Sequence, residues 1–336
     1  MPRPSTRAPA ITDVAKLAGV SVPTVSRVLT GSVPVSKARR ERVLAAIEEL
    51  GYRPNGAARA LVKGHQSVIA VLASNTTRYG YALTIQGIEE AARAAGFIVM
   101  ITVIESEDAG AVTSAVDLAL RNPVSGVVVL KFDPVGVAAL RALPKSLAVV
   151  AASGSRGTSI PHATLDDTAA ASEATDYLLK LGHTTVHHVA IPSSGRRSGR
   201  ALGWQKALER AGAEVPEVMY AGWEPRRAHE IGFSLASRPD VTAVLCGNDE
   251  LAIGLMRGLY DGGRRVPDDI SVVGFDGHPL GELWAPSLTT VEQDFAELGR
   301  RSFDLVAALI EGKPAPMTSA RQPHLVIRES AAPPRD

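Results

Sequence analysis

Residues 11–30 read Ile-Thr-Asp-Val-Ala-Lys-Leu-Ala-Gly-Val-Ser-Val-Pro-Thr-Val-Ser-Arg-Val-Leu-Thr, two short helical segments punctuated by a glycine. Ile11, Val14, Ala15 and Ala18 recur at helical spacing, which gives the first segment one apolar face. Gly19 can enter the left-handed backbone region that ends a helix. Ser21 stands where its hydroxyl can cap the next helix, and Pro23 falls in the first turn, where a missing N–H costs nothing. Val25, Val28 and Leu29 form the buried face of that second helix, leaving Val22, Pro23, Ser26 and Arg27 pointing outward. The pattern predicts a helix-turn-helix whose second helix reads a DNA groove. An ordinary helical hairpin satisfies the turn equally well, and charge separates the two readings. Residues 1–64 hold 11 Lys/Arg against 4 Asp/Glu, a net of +7, whereas the remaining 272 hold 25 against 31, a net of −6. A near-neutral chain of +1 thus places a basic head, suited to phosphates, on an acidic body.

Working outward, the head continues into a third helix over about 36–50, with Ser36 as its cap and Val43, Ala46, Ile47 and Leu50 as its apolar stripe. Gly51 stops it. Residues 55–64 suit either a plain linker or a helix of about two turns, too short to be stable alone in water. Gly56 weakens that helix further, by roughly 1 kcal/mol relative to alanine. The first nine residues read as a flexible basic arm, without the apolar segment of a secretory signal, so a cytoplasmic location is expected. No apolar run is long enough for a membrane span. The single cysteine, Cys246, follows Ala243-Val244-Leu245 and reads as a buried structural thiol, excluding an internal disulfide. No Cys, His or carboxylate cluster has metal-ligand spacing, and neither a metal nor a cofactor is expected. His187-His188 reads as strand packing.

From Ser67 onward, short β-rich apolar runs alternate with helical stretches. Strands buried on both faces are predicted at 68–73, 97–104, 126–130 and 147–151, separated by helices near 81–95, 109–121 and 134–143. A second series has strands near 186–191, 217–220, 243–247 and 270–274, with helices near 166–181, 199–212, 224–237 and 248–262. Alternation of this kind, twice over, predicts an α/β chain with two doubly wound parallel-sheet halves. At 336 residues, 45% of them apolar, such a chain can bury sizeable cores.

Taken in order, these segments resemble the lactose-repressor (LacI/GalR) family of bacterial transcription regulators. The likeness rests on Asp13-Val14-Ala15, Ala18-Gly19-Val20-Ser21, Thr24 to Leu29, Gly51 to Asn55, Ala58-Arg59 and Leu61 in the head. In the body it rests on Gly182-His183, Gly247-Asn248-Asp249, Ser271 to Asp276 and Leu288 to Val291. The resemblance implies a helix-turn-helix domain over 10–54, a hinge helix over 55–64, and an effector-binding, dimerising core over 65–336 like that of periplasmic binding proteins. Its N-subdomain would take about 65–162 and 293–322, and its C-subdomain about 163–292 and 323–331. The chain would cross between halves near 162–164, 291–294 and 322–324. Leu61 matches a leucine that wedges between base pairs from the minor groove and kinks the duplex. Arg27 is the expected guanine contact, with Val22 and Pro23 touching base edges. Ser21, Thr24, Ser26 and Arg59 are expected at phosphates, and Asn55 and Ala58 complete the DNA-binding set.

Ligands of open α/β sheets sit beyond the carboxyl ends of the strands. The loops there carry Asn75, Lys131, Ser153, Arg196, Arg200, Trp223, Asn248, Asp276, Gln293 and Phe295, a mixture suited to sugar hydroxyls and a pyranose face. By the family's pattern Arg200, Asn248 and Asp276 bind hydroxyls, Trp223 and Phe295 form stacking walls, and Gln293 lies beside them. Asn75 and Arg196 complete the effector set. Asn248 would cap the helix that follows whether or not it touches ligand, and Asp276 would fix its own turn. Thr76 to Gly80 departs from the family's Asn-Pro-Phe-Phe-like segment. Leu130 and Ala152 stand where the lactose branch has polar contacts, which argues against lactose itself. The expectation is a repressor of carbohydrate-use genes, nearest the galactoside and glycoside sensors, acting as a homodimer on a near-palindromic double-stranded operator and released by a sugar or glycoside. The dimer is expected because the final Ala-Ala-Pro-Pro-Arg-Asp has no leucine-heptad helix. A nucleobase or other co-repressor is the second reading, and a sugar-modifying enzyme or sugar receptor a more distant one. The enzyme reading lacks a phosphate-cradling glycine loop or nucleophile elbow.

Overall fold

The computed structural model describes residues 9–30, 33–52, 68–154, 159–193 and 198–335. Asn55, Ala58, Arg59 and Leu61 of the expected hinge, and Arg196 of the expected effector set, lie outside these residues. The chain divides into two compact units, Met1–Gln66 and Ser67–Asp336.

The first unit contains α1 (Ile11–Ala18), α2 (Val22–Thr30) and α3 (Lys37–Leu50). Gly19 and Gly51 end α1 and α3 at φ +61 and +58, the left-handed geometry that a residue with a Cβ adopts reluctantly. Val14, Ala15, Ala18, Val25, Val43, Ala46 and Tyr52 close one small core. Neither expected serine cap forms as drawn. The Ser36 side chain makes no cap bond; its backbone carbonyl instead accepts from Arg39 and Arg40, each at 3.0 Å. At the start of α2 the Ser21 carbonyl accepts from Thr24 and Val25, while the Ser21 and Thr24 hydroxyls pair at 2.9 Å.

In the second unit, β1 (Val68–Ala73), β2 (Ile98–Val103), β3 (Gly126–Lys131), β4 (Val149–Ser153), β5 (His162–Leu165) and β11 (Thr318–Arg321) form one parallel sheet, ordered β11-β5-β4-β3-β1-β2. A second sheet is ordered β12-β10-β9-β8-β6-β7, from β6 (His187–Ala190), β7 (Met219–Tyr220), β8 (Ala243–Cys246), β9 (Ser271–Asp276), β10 (Thr289–Glu292) and β12 (His324–Val326). Among the described strands only the β10–β12 pair is antiparallel. Helices α4 (Tyr79–Ala94), α5 (Ala109–Arg121), α6 (Pro134–Ala142) and α12 (Phe295–Ile310) pack on the first sheet. Helices α7 (Asp167–Lys180), α8 (Gly199–Ala211), α9 (Pro225–Leu235) and α10 (Asp249–Asp261) pack on the second, followed by the short α11 (Pro279–Leu283). Successive strand residues feed opposite cores: Val128 and Leu130 face α4 and α12, whereas Val127 and Val129 face α5 and α6. That is the two-residue period of a strand covered on both faces.

The chain passes between the lobes after Leu165, between Glu292 and Phe295, and between Arg321 and His324. The first passage lies beyond the expected 162–164, because His162–Leu165 is itself a buried strand of the first sheet, paired with β4 and β11. β2 also departs from expectation. It is an edge strand rather than one buried on both faces, and Ile98, Ile101 and Val103 are exposed. No helix among the described residues is long and apolar enough to cross a membrane.

Candidate functional site

In the first unit, Val22, Pro23 and Arg27 of α2 are exposed, Thr24 and Ser26 are half-buried, and Val25 is fully enclosed. The outward row is the one expected to meet base edges, and the hydroxyls lie on its flanks.

In the second unit, the carboxyl ends of both sheets converge on a cleft lined by Tyr79, Tyr81, Lys131, Phe132, Asp167, Arg200, Trp223, Asn248, Asp276, Gln293 and Phe295, among others. Arg200, in the first turn of α8, is its electrostatic centre. Its Nε donates to Asp167 at 3.1 Å, its Nη2 lies 2.9 Å from Asp276, and its Nη1 donates to the Gly247 carbonyl. The guanidinium carbon also sits 4.2 Å from the Phe275 ring centroid. One buried cation therefore serves two buried carboxylates. Burial outweighs the Arg200 charge at both acids, raising Asp167 and pushing Asp276 up to about 6. Burial opposes charge on Arg200 too, yet the two carboxylates together raise its pKa. Charges enclosed like this need complete pairing, and here one guanidinium is shared.

Asp276 closes β9 at φ +109, alone among the described non-glycine residues in having positive φ. Strain of this kind persists only where the surroundings hold it. Here the Gln293 amide donates to Asp276 at 3.0 Å and Arg200 grips the same oxygen. Gln293 Oε1 and Asp167 Oδ1 are buried acceptors without a hydrogen-bond partner among the described residues. Asn248 caps α10, its Oδ1 accepting from Leu251 at 2.9 Å, and its Nδ2 donates to Glu250 at 3.2 Å.

Facing this polar side is an aromatic wall. Tyr81 meets Phe132 edge-on at 5.0 Å and Trp223 at 6.4 Å, while Phe295 lies 6.3 Å from Phe132 and 6.1 Å from Tyr79. The Tyr81–Trp223 contact spans the lobes, and others join it. Tyr79 packs on His278 at 4.6 Å and donates to the Gly277 carbonyl at 3.3 Å, and the Arg78 guanidinium stacks 4.6 Å from the Trp223 centroid.

Of the residues expected at the effector, the structure thus gathers Arg200, Trp223, Asn248, Asp276, Gln293 and Phe295 in one cleft. Asn75 is not among its lining residues. Its Oδ1 accepts from the N–H groups of Thr77 and Arg78, both at 2.8 Å, so it holds the turn that delivers Arg78 and Tyr79. Sequence reasoning missed Asp167 and the aromatic set Tyr79, Tyr81 and Phe132. The Asp166-Asp167 pair closing the apolar run before α7 was the available signal for the first. Tyr79 lay in a segment noted only for its departure from the family's pattern, Tyr81 just after it, and Phe132 directly behind the β3 run.

The sequence profile described as bacterial regulatory proteins of the lacI family matches residues 10–55, and one for a periplasmic binding protein-like domain matches 175–331. The chain is 31% identical over 304 residues to the lactose operon repressor of Escherichia coli K12, covering 90% of this chain and 84% of that one. A lac repressor dimer solved with operator and the anti-inducer ONPF superposes with a TM-score of 0.89 at 30% identity, covering 97% of this chain and all (100%) of the other. A complex of the transcriptional regulator CelR with cellobiose superposes with a TM-score of 0.69 at 29% identity, covering 96% and 99%.

Proposed function

The chain belongs to the LacI family of DNA-binding transcriptional regulators, and from that premise we propose that it represses carbohydrate-utilisation genes and leaves its operator when a sugar or glycoside fills the cleft. The observation that carries this reading is the Arg200–Asp167–Asp276 network facing an aromatic wall. Fixed carboxylate, amide and guanidinium groups pair with vicinal hydroxyls, and the open acceptors Asp167 Oδ1 and Gln293 Oε1 call for hydroxyl donors. The rings of Trp223 and Phe295 suit the apolar face of a pyranose. A related regulator bound to cellobiose supports the same ligand class.

Two copies present their α2 helices to successive major grooves of a near-palindromic operator about two helical turns long. Arg27 contacts guanine, and Val22 and Pro23 pack on base edges. Ser21, Thr24, Ser26 and Arg59 meet phosphates, and the hinge, with Asn55, Ala58 and Leu61, opens the minor groove. Effector favours a different arrangement of the lobes, in which the paired hinges separate and the minor-groove contacts are lost. Linkage then requires DNA to weaken sugar binding by the factor that sugar weakens DNA binding. Titration of sugar into the dimer with and without operator tests this. A five- to hundredfold difference is expected for a coupling of about 1–3 kcal/mol, and equal affinities overturn it.

A further inference from the structure

We infer that the effector is an anionic sugar whose ring hydroxyls lie on the Arg200–Asp276 side of the cleft and whose carboxylate or phosphate is received by Lys131. This inference rests on the sugar reading above and narrows it.

Lys131, the last residue of β3, lines the cleft and is only 8% exposed. Its side chain makes neither an ion pair nor a hydrogen bond among the described residues, and its Nζ is not sealed from solvent, so the ammonium is open to a ligand. The carboxylates of the cleft are already engaged elsewhere: Asp167 and Asp276 by Arg200, and Glu250 by the Asn248 amide. On its other side Lys131 borders a hollow edged by Arg141 and Lys145, whose lining holds no acidic residue. Residues 155–158 and 194–197, Ser-Arg-Gly-Thr and Ser-Gly-Arg-Arg, contain no Asp or Glu that could serve as its partner. A second cation on the same lobe, Arg78, spends its charge on the face of Trp223 rather than on an acid among the described residues. Burial holds the Lys131 ammonium below the ordinary lysine range, and an anion delivered by the ligand would restore its full charge.

The cleft is therefore polarised. One side offers a shared guanidinium with acceptor oxygens still open, which suits hydroxyls. The other offers aromatic rings and a largely enclosed lysine without a counter-ion among the described residues, which suits a ring carrying a negative group. A neutral hexose meets only the first side.

The test uses the full-length protein and a panel of hexoses, the matching hexuronates, the matching hexose 6-phosphates, and inorganic phosphate alone. Thermal shift and release of labelled operator are the readouts, and the uronate and phosphate arms distinguish the two anion chemistries. At least one anionic sugar is expected to bind ten or more times tighter than its neutral parent, with inorganic phosphate alone failing to release operator. Lys131→Met should erase most of that preference, and Lys131→Arg should retain it, with circular dichroism establishing that both variants fold. If neutral sugars bind and release operator while their anionic counterparts bind no better, or if Lys131→Met leaves the preference intact, the anion assignment falls and the sugar reading stands. If no sugar of either kind shifts the protein, both fall.

Discussion

Asp249, the first residue of α10, is 1% exposed and has its oxygens taken by neighbouring donors: the Thr290 hydroxyl at 2.5 Å and the His278 N–H at 2.6 Å. Burial dominates those bonds and, with the nearby Asp276 charge, pushes its carboxyl up to about 7. An ordinary aspartate releases its proton near pH 3.9. Between these values the folded chain keeps a proton that the unfolded chain has lost, so this residue's contribution to stability falls as pH rises towards 7. Asp249→Asn imitates the protonated acid. The wild type should therefore lose ground to that variant between pH 5 and pH 8, by on the order of 5 °C in melting temperature, given about 2–4 °C per kcal/mol for a domain of this size. A constant difference across that range would contradict the assignment. At the DNA-reading surface, Arg27→Ala should weaken operator binding by about 1–3 kcal/mol and relax specificity at one base pair, as measured by anisotropy on a set of single-base operator variants. Asp276 was legible because it closes a strand-like run ending at the cleft, and Arg200 because it follows the loop after such a run, where the family resemblance implies a hydroxyl binder. Asp167 was passed over because the strand before it is only four residues long, its place in the sheet set by pairing to β4 and β11.

Among elements, glycines set how closely the helices approach. A Cβ on Gly87 of α4 would fall 2.0 Å from the Ala296 carbonyl oxygen of α12, and one on Gly299 of α12 would fall 2.2 Å from the Thr84 oxygen. Both obstacles are backbone and cannot swing aside. Gly203 of α8 meets α7 in the same way, with the Thr168 oxygen 2.1 Å from its Cβ position. Gly87→Ala should therefore cost about 1–3 kcal/mol by forcing α4 and α12 apart, against the small gain alanine brings to an isolated helix. Urea denaturation measures this, and an unchanged midpoint would show that the pair can slide. The helix α12 itself, sixteen residues with Phe295, Leu298, Phe303 and Val306 buried, has a clear apolar face. It escaped the sequence reading because the alternation of strand and helix breaks at β10 and the chain returns to the other lobe. β11 and β12, at four and three residues, are too short to show a period, and their partners are fixed by tertiary pairing alone.

For the molecule as a whole, the division after Gln66 separates the basic head from a unit that holds its own cores. Removal of residues 1–66 should abolish operator binding while the remaining unit keeps its effector-induced thermal shift; loss of both would mean that the sugar site needs the head. The full chain should sediment as a dimer, and a four-subunit mass in dilute solution would refute that. Doubly wound halves were readable from alternation, whereas the position of the first passage depended on a strand whose partner lies more than 150 residues further along. That threading has a consequence for synthesis. The edge strands β11 and β12 are made after every other strand of their sheets and lie only two residues apart, yet they complete different sheets. Chains stopped before residue 318 should therefore leave each sheet one strand short, open to proteases at its unpaired edge.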